Sequence, residues 1–154
     1  LLFQKSNNLS VVTIIENNEW SLGSRINERR CDIDISRLSS SLSIPYIKLS
    51  GNNPFEYIDI LTKIFDETRK KSSPFCIEVE LKTLGYWFEV QPKFPEGKFI
   101  NYHSGKAPKL SVTDDPILEE SSFDPLYVLS DIVGKEKINS MYKEALSKIS
   151  NELK

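Results

Sequence analysis

The chain carries almost no excess charge of either sign: 20 Lys and Arg stand against 22 Asp and Glu, a formal net charge of −2 with its single His neutral. That balance removes the electrostatic footprint by which nucleic acid or an anionic membrane surface is usually held, so neither is expected as a partner. Long apolar runs are missing as well. The longest, Val11-Val12-Thr13-Ile14-Ile15, falls far short of the roughly 20 residues of a membrane-spanning helix. Cysteine is scarce: Cys31 and Cys76 fit neither a metal-ligand nor a redox spacing, so free thiols and a reducing compartment, the cytoplasm, are expected. One His and two isolated Cys supply no zinc site and no nucleophilic triad. The glycines, at 23, 51, 85, 97, 105 and 134, never approach one another closely enough for a G-x-G-x-x-G or Walker loop, which excludes nucleotide binding by those routes.

What is present suits one globular domain. The 154 residues, 39% hydrophobic and 27% charged, suffice for a substantial core without a second domain. The chain opens Leu1-Leu2-Phe3, and its only methionine is Met141. Leu1 is thus no retained initiator and no signal peptide is visible, so the chain is expected to be processed, truncated or one part of a longer protein that has a functional segment upstream.

The apolar, β-branched run Leu9–Glu16 reads as a central parallel strand buried on both faces. It ends in Asn17-Asn18-Glu19-Trp20, at the carboxyl end of a strand, where open α/β sheets bind ligands. Residues 24–32 read as loop, Ile33–Leu42 as a helix and Tyr46–Leu49 as a second strand. Asn53-Pro54-Phe55-Glu56 combines an N-cap, a proline at the first helical position and a glutamate three residues after the cap, so a helix starts there. It ends near Ser72-Ser73-Pro74, with Arg69-Lys70-Lys71 complementing its dipole. Phe75, Ile77, Val79 and Leu81 then alternate with polar residues or Cys76, as in a third strand. This strand–helix alternation specifies an α/β fold, a parallel sheet flanked by helices. Residues 85–123, broken by Pro92, Pro95, Pro108 and Pro116, read as a Pro-rich loop. Residues 124–154 read as a helical tail beginning at Asp124-Pro125 and ending in an amphipathic helix on Ile138, Met141, Tyr142, Ala145, Leu146, Ile149 and Leu153.

Few constellations could carry chemistry. Asn17-Asn18 fits plain turn chemistry, since Asn tolerates left-handed backbone and bonds its own main chain. It equally fits a crevice where a side-chain oxygen and a backbone carbonyl meet a hard cation such as Mg²⁺, with phosphate or water filling the other positions. His103, a lone histidine in a loop, reads by itself as idle and solvated.

The segments VVTIIENNEWSL and SIPYIKLSGNNPFEYIDILTKIFDETRKKSSPFCIEVELKT, in that order over residues 7–83, resemble the second half of the diphosphate-binding domain of thiamine-diphosphate enzymes. The pattern is similar to transketolases and the alpha subunits of 2-oxoacid dehydrogenases. Asp124-Pro125-Leu126 resembles the start of a late helix in the latter. The resemblance implies a partial thiamine-diphosphate-binding fold. It further implies that Asn17, Asn18, Trp20 and His103 contact the cofactor. Asn18 binds Mg²⁺ through its side-chain oxygen and Trp20 through its backbone carbonyl, while His103 acts catalytically. The implied reaction is cleavage of a C–C bond next to a carbonyl, in a 2-oxo acid or a ketose phosphate, by a transferase or an oxidoreductase. In that family a Gly-Asp-Gly opens the cofactor motif, and a separate pyrimidine-binding domain carries the activating Glu. This chain has neither. The acidic metal ligand is therefore expected from an upstream segment, and the second domain or subunit from an oligomer. A non-catalytic assembly or regulatory subunit that keeps the fold without the full cofactor site is the alternative, and an accidental likeness in a plain α/β domain is a third.

Overall fold

The computed structural model describes every residue except 22–23, 83, 85–86, 93, 101–114 and 154. Its centre is a three-stranded parallel sheet made of β1 (Val12–Asn17), β4 (Tyr46–Leu49) and β5 (Phe75–Glu80), in the order β1-β5-β4. The expected α/β architecture is therefore present, with helices flanking a parallel sheet.

The strand order corrects one expectation. The middle strand is β5, not β1: β5 pairs with β1 from Val12↔Phe75 to Asn17↔Glu80 and with β4 from Tyr46↔Cys76 to Leu49↔Val79. Hydrogen bonds on both edges bury Cys76, Ile77 and Glu78, whereas Ile14 and Glu16 of β1 stay exposed. The apolar run of β1 reflects β-branched propensity at a sheet edge rather than burial on two faces.

Local chemistry explains the helices. In α3 (Pro54–Lys71) the Asn53 side-chain oxygen accepts the Phe55 and Glu56 N–H groups at 3.1 and 3.4 Å. Ser72, in the left-handed region at φ 45°, ends the helix, and Pro74 cannot continue it. The inner face of α3 packs Tyr57, Ile60, Leu61 and Ile64 onto Leu49, Ile77, Val12 and Val79 of the sheet. Fully burying such a side chain contributes about 1.5–3 kcal/mol; Leu49, Ile64 and Ile77 are buried, and the others are partly so. The shorter α2 (Ile35–Ser41) begins two residues later than its apolar spacing suggests, because Asp34 caps it by accepting the Arg37 N–H.

Several elements depart from the sequence reading, among them a short strand and a 3₁₀ turn within residues 24–32, which read as loop. A short helix, α1 (Leu2–Ser6), precedes β1. Within the segment expected to be loop, β6 (Trp87–Gln91) and β7 (Phe94–Ile100) form an antiparallel hairpin. The proline signal misleads there for a geometric reason: Pro92 lies between the strands, and Pro95 and Gly97 fall where the register is irregular, opposite the shift between Glu89 and Gln91. A bulge asks no ladder donor of Pro95 and accepts the positive φ of Gly97, 81°. Two short strands, β2 (Trp20–Ser21) and β3 (Ser24–Arg25), lead into a 3₁₀ turn at Ile26–Glu28. The Lys98 ammonium meets Glu28 at 2.6 Å and ties the β6–β7 hairpin to that turn. The helical tail is α4 (Pro125–Val133) and α5 (Lys135–Glu152), separated by Gly134 at φ 89°. Among the described residues, no helix is long and apolar enough to cross a membrane.

Candidate functional site at the carboxyl edge of the sheet

Because β1, β4 and β5 are parallel and in register, their carboxyl ends share one edge. A crevice of about 330 Å³ opens there, lined by Asn17, Asn18 and Trp20 after β1, Lys48 of β4, and Glu80 and Lys82 of β5 and the residues following it. Outside the carboxyl ends of strands is the place an open α/β sheet offers a ligand.

The two asparagines play different parts. Asn17 donates from its amide nitrogen to Oε1 of Glu78 at 2.7 Å, and its Oδ1 accepts the Glu19 N–H at 3.3 Å. Both ends of that side chain are engaged, so Asn17 shapes the turn. Asn18 Oδ1 accepts the Trp20 N–H at 3.0 Å and, as an amide oxygen, keeps a second lone pair. Glu19 between them sits at φ 61°, a left-handed conformation that these two side-chain bonds sustain. Turn chemistry is thus realised at the Asn pair.

The backbone of Trp20 adds a second oxygen. Trp20 pairs with Arg25, and the Ile26 N–H donates to the Glu19 carbonyl at 3.0 Å. A hydrogen bond flanking the pair makes it the non-hydrogen-bonded type, in which N–H and C=O both point away from the partner strand. The Trp20 carbonyl therefore faces the same side as its N–H, the side on which Asn18 Oδ1 is held. The pairing thus sets both neutral oxygens on the same side of the short strand, and both residues line the crevice.

Its walls are amphipathic. The Arg25 guanidinium lies 5.4 Å from the Trp20 ring centroid, close enough for a cation–π contact. Lys48 meets Glu80 at 3.6 Å. Lys82 meets Glu119 at 2.7 Å and stands 5.4 Å from the Phe123 ring centroid. The Lys82 hydrogen bond, then that of Ser121, holds the Glu119 carboxyl below the usual glutamate range. Asn52, just after β4, donates to the Ser122 carbonyl at 2.9 Å, so the segment before α4 is pinned across the ends of β4 and β5. Beside this crevice a larger cleft of about 850 Å³ runs along Arg25, Arg29 and Arg30, sharing Asn17, Asn18 and Trp20.

Sequence reasoning found the Asn pair and Trp20 but missed what fixes them. Glu78 is 7% exposed, and its other oxygen accepts the Tyr46 hydroxyl at 2.6 Å. Burial, then that bond, raises the Tyr46 phenol above its ordinary pKa. The period-two pattern of β5 contained a signal: a glutamate on the face opposite Ile77, in a strand that turns out to be central, must be paired. Lys82, Glu119 and Phe123 meet through long-range contacts that no local pattern announces. His103 lies outside the described residues. Among those residues no group of three or more His, Cys, Asp or Glu could hold a metal ion.

No protein-family model matches the chain, and a search of curated proteins finds no significant match.

Proposed function

We propose that this chain forms one wall of a thiamine-diphosphate site and anchors the Mg²⁺–diphosphate group through Asn18 Oδ1 and the Trp20 carbonyl. What supports this reading is that the strand pairing sets both oxygens on one side of the turn, in residues that line an open crevice on the carboxyl edge of a parallel sheet. Two neutral oxygens suit a hard cation that keeps phosphate and water in its remaining positions. They are an incomplete set, so the acidic ligand comes from another segment or chain, as does the pyrimidine-binding domain or subunit. When bound, thiamine diphosphate supplies the carbon nucleophile and electron sink for cleaving a C–C bond beside a carbonyl in a 2-oxo acid or ketose phosphate.

The chain's own residues hold and shield. Asn17, fixed by Glu78, sets the turn that presents Asn18. Arg25 and Lys48 offset anionic charge at the rim, and the Trp20 and Phe123 rings narrow the access of water. His103 is the donor to developing charge in this reading. Whether the enzyme is a transferase or an oxidoreductase follows from the acceptor, which binds opposite this wall. The free thiols Cys31 and Cys76 accord with a reducing, cytoplasmic compartment.

One observation favours the assembly-subunit reading: both Asn oxygens already bond their own main chain, and the described residues bring no acidic ligand cluster. Calorimetric titration of the protein, with any upstream segment retained, by thiamine diphosphate and Mg²⁺ decides between them. Saturable binding that needs Mg²⁺ and is lost in Asn18→Ala supports the cofactor site. Absence of binding favours the assembly role, and binding indifferent to Asn18→Ala removes Asn18 from the metal site.

A further inference from the structure

Strand β1 ends the sheet, yet it is built like an inner strand. The Phe75 and Leu81 N–H groups donate to the Val11 and Asn17 carbonyls, so the odd-numbered residues of β1 turn their main chain toward β5. In a parallel ladder the alternate residues face the other way. The N–H and C=O groups of Val12, Ile14 and Glu16 therefore point outward, and among the described residues nothing pairs with them. The opposite margin is guarded. Strand β4 has four residues, follows Pro45 and presents outward only Tyr46 and Lys48, a short edge bearing a charge. Strand β1 has six residues, an unbroken register and neither proline nor lysine.

Two further features lie on the same open side. Ile14 stands on the face of the sheet that α3 covers, in register with Ile77, and is nonetheless 47% exposed. On α3, Ile58 and Phe65, 60% and 38% exposed, fall about a quarter turn round from the inner residues Tyr57, Leu61 and Ile64. A β4–α3–β5 connection of the usual right hand sets that quarter turn on the β1 side. The unpaired margin, Ile14 and the flank of α3 thus frame one apolar notch.

The way the chain enters β1 identifies what fills the notch. The Thr13 hydroxyl donates to Oε1 of Gln4 at 2.9 Å. Thr13 points to the face opposite Ile14, so α1 lies on the side of the sheet away from α3. Connections between parallel strands of one sheet are right-handed in about 98% of cases. With α1 on this face, a strand leading through α1 into β1 lies on the outer side of β1. A strand arriving from the β4 side would put α1 on the same face as α3.

We propose that the open margin of β1 takes a parallel strand from the polypeptide preceding α1, which makes β1 an inner strand. A segment of about five residues spans the outward groups of Val12, Ile14 and Glu16, and its apolar side chains on the α3 face cover Ile14 and approach Ile58 and Phe65. Within the described residues the apolar run of β1 expresses β propensity alone; beside that strand Ile14 is enclosed as well. No property of the cofactor site enters this inference, which stands whether or not thiamine diphosphate binds.

Amide exchange followed by NMR, on the protein with its full preceding polypeptide, tests it through an alternation. Thr13 and Ile15 face β5 and are protected in either case. Val12, Ile14 and Glu16 should be protected too, exchanging at least about a hundredfold more slowly than open amides. Their N–H groups should also show Overhauser contacts to α-protons of residues before Leu1. Protection at Thr13 and Ile15 alone overturns the proposal, since β1 is then a true margin. Contacts from Val12, Ile14 or Glu16 to another copy, read in a mixture of isotope-labelled and unlabelled protein, overturn it as well, as do contacts to any segment after α1.

Discussion

The amide nitrogen of Asn17 lies 2.7 Å from Oε1 of Glu78, and this bond fastens the end of β1 to the buried middle of β5. Glu78 Oε2 accepts the Tyr46 hydroxyl from β4 at 2.6 Å, so one carboxyl group bridges both neighbouring strands just beneath the crevice. Replacing Glu78 by Ala leaves an amide and a phenol without their acceptor in a partly buried site. A loss of about 2–4 kcal/mol is expected, read by urea unfolding. Tyr46→Phe, which removes only one donor, should cost about 1 kcal/mol. A Glu78→Ala variant as stable as the wild type would show that the bridge contributes nothing.

Asp124 makes a comparable knot at the start of α4. Its Oδ1 accepts the N–H groups of Leu126 and Tyr127 at 2.8 and 3.4 Å, and its Oδ2 accepts those of Leu118 and Glu119 at 2.7 and 3.1 Å. One side chain, 2% exposed, thus caps the helix and folds the preceding loop back on it. Asp124→Ala should destabilise by about 2–3 kcal/mol, more than an ordinary cap. Amide exchange should speed up at Leu118 and Glu119 as well as at Leu126, and acceleration confined to the helix would assign Asp124 to capping alone.

The elements legible from sequence were those specified locally. Asn53 followed by Pro54 marked the start of α3, Asp124 followed by Pro125 marked the start of α4, and Tyr46–Leu49 formed a strand with the bounds expected. Strand order was not legible, because which strand lies in the middle depends on pairing between residues about 60 positions apart, and β1 is the more apolar run. The β6–β7 hairpin escaped notice because a bulge hides Pro95 from the ladder. At the candidate site, Asn17 and Asn18 could be picked out as a polar turn at a strand's carboxyl end, because that turn is built locally, and Trp20 only through the family resemblance. Glu78, Lys82 and Glu119 could not, since their roles arise only when β5 and the segment before α4 come together.

Acid should loosen that meeting. Lys82 holds the Glu119 carboxyl below its ordinary value of 4.5, so ionised Glu119 favours the folded arrangement. The contribution is present above about pH 4.5 and fades as pH falls through the lower folded value. Both side chains are about one-third exposed, so the effect is small and screened by salt. Carbon-detected NMR titration of the Glu119 carboxyl should give a midpoint below 4.5, and Lys82→Met should move it upward. An unmoved midpoint in that variant would leave the Lys82 bond without influence on the loop.

Asn18 has one observed task and one proposed task. Its oxygen caps the Trp20 N–H, and in the proposed site it also faces a metal ion. Asn18→Ala removes both, so weak cofactor binding in that variant could reflect a relaxed turn. Asn18→Asp keeps an oxygen at the same reach for the Trp20 N–H and replaces a neutral ligand with an anionic one. With a cation at this position, Asn18→Asp should retain Mg²⁺-dependent binding of thiamine diphosphate, within about tenfold of wild type, because a carboxylate is a good ligand for a hard cation. With an anionic group lying directly against Asn18 and no cation between, the added charge should instead abolish binding as Ala does. Thermal unfolding of the unliganded variants supplies the control: Asn18→Asp should match the wild type, and Asn18→Ala should lose about 1 kcal/mol through the turn alone. Retained binding in Asp with loss in Ala fits an oxygen ligand or the turn cap alone, and a tighter apparent Mg²⁺ affinity in Asp than in wild type singles out the ligand; equal loss in both removes Asn18 from any metal shell.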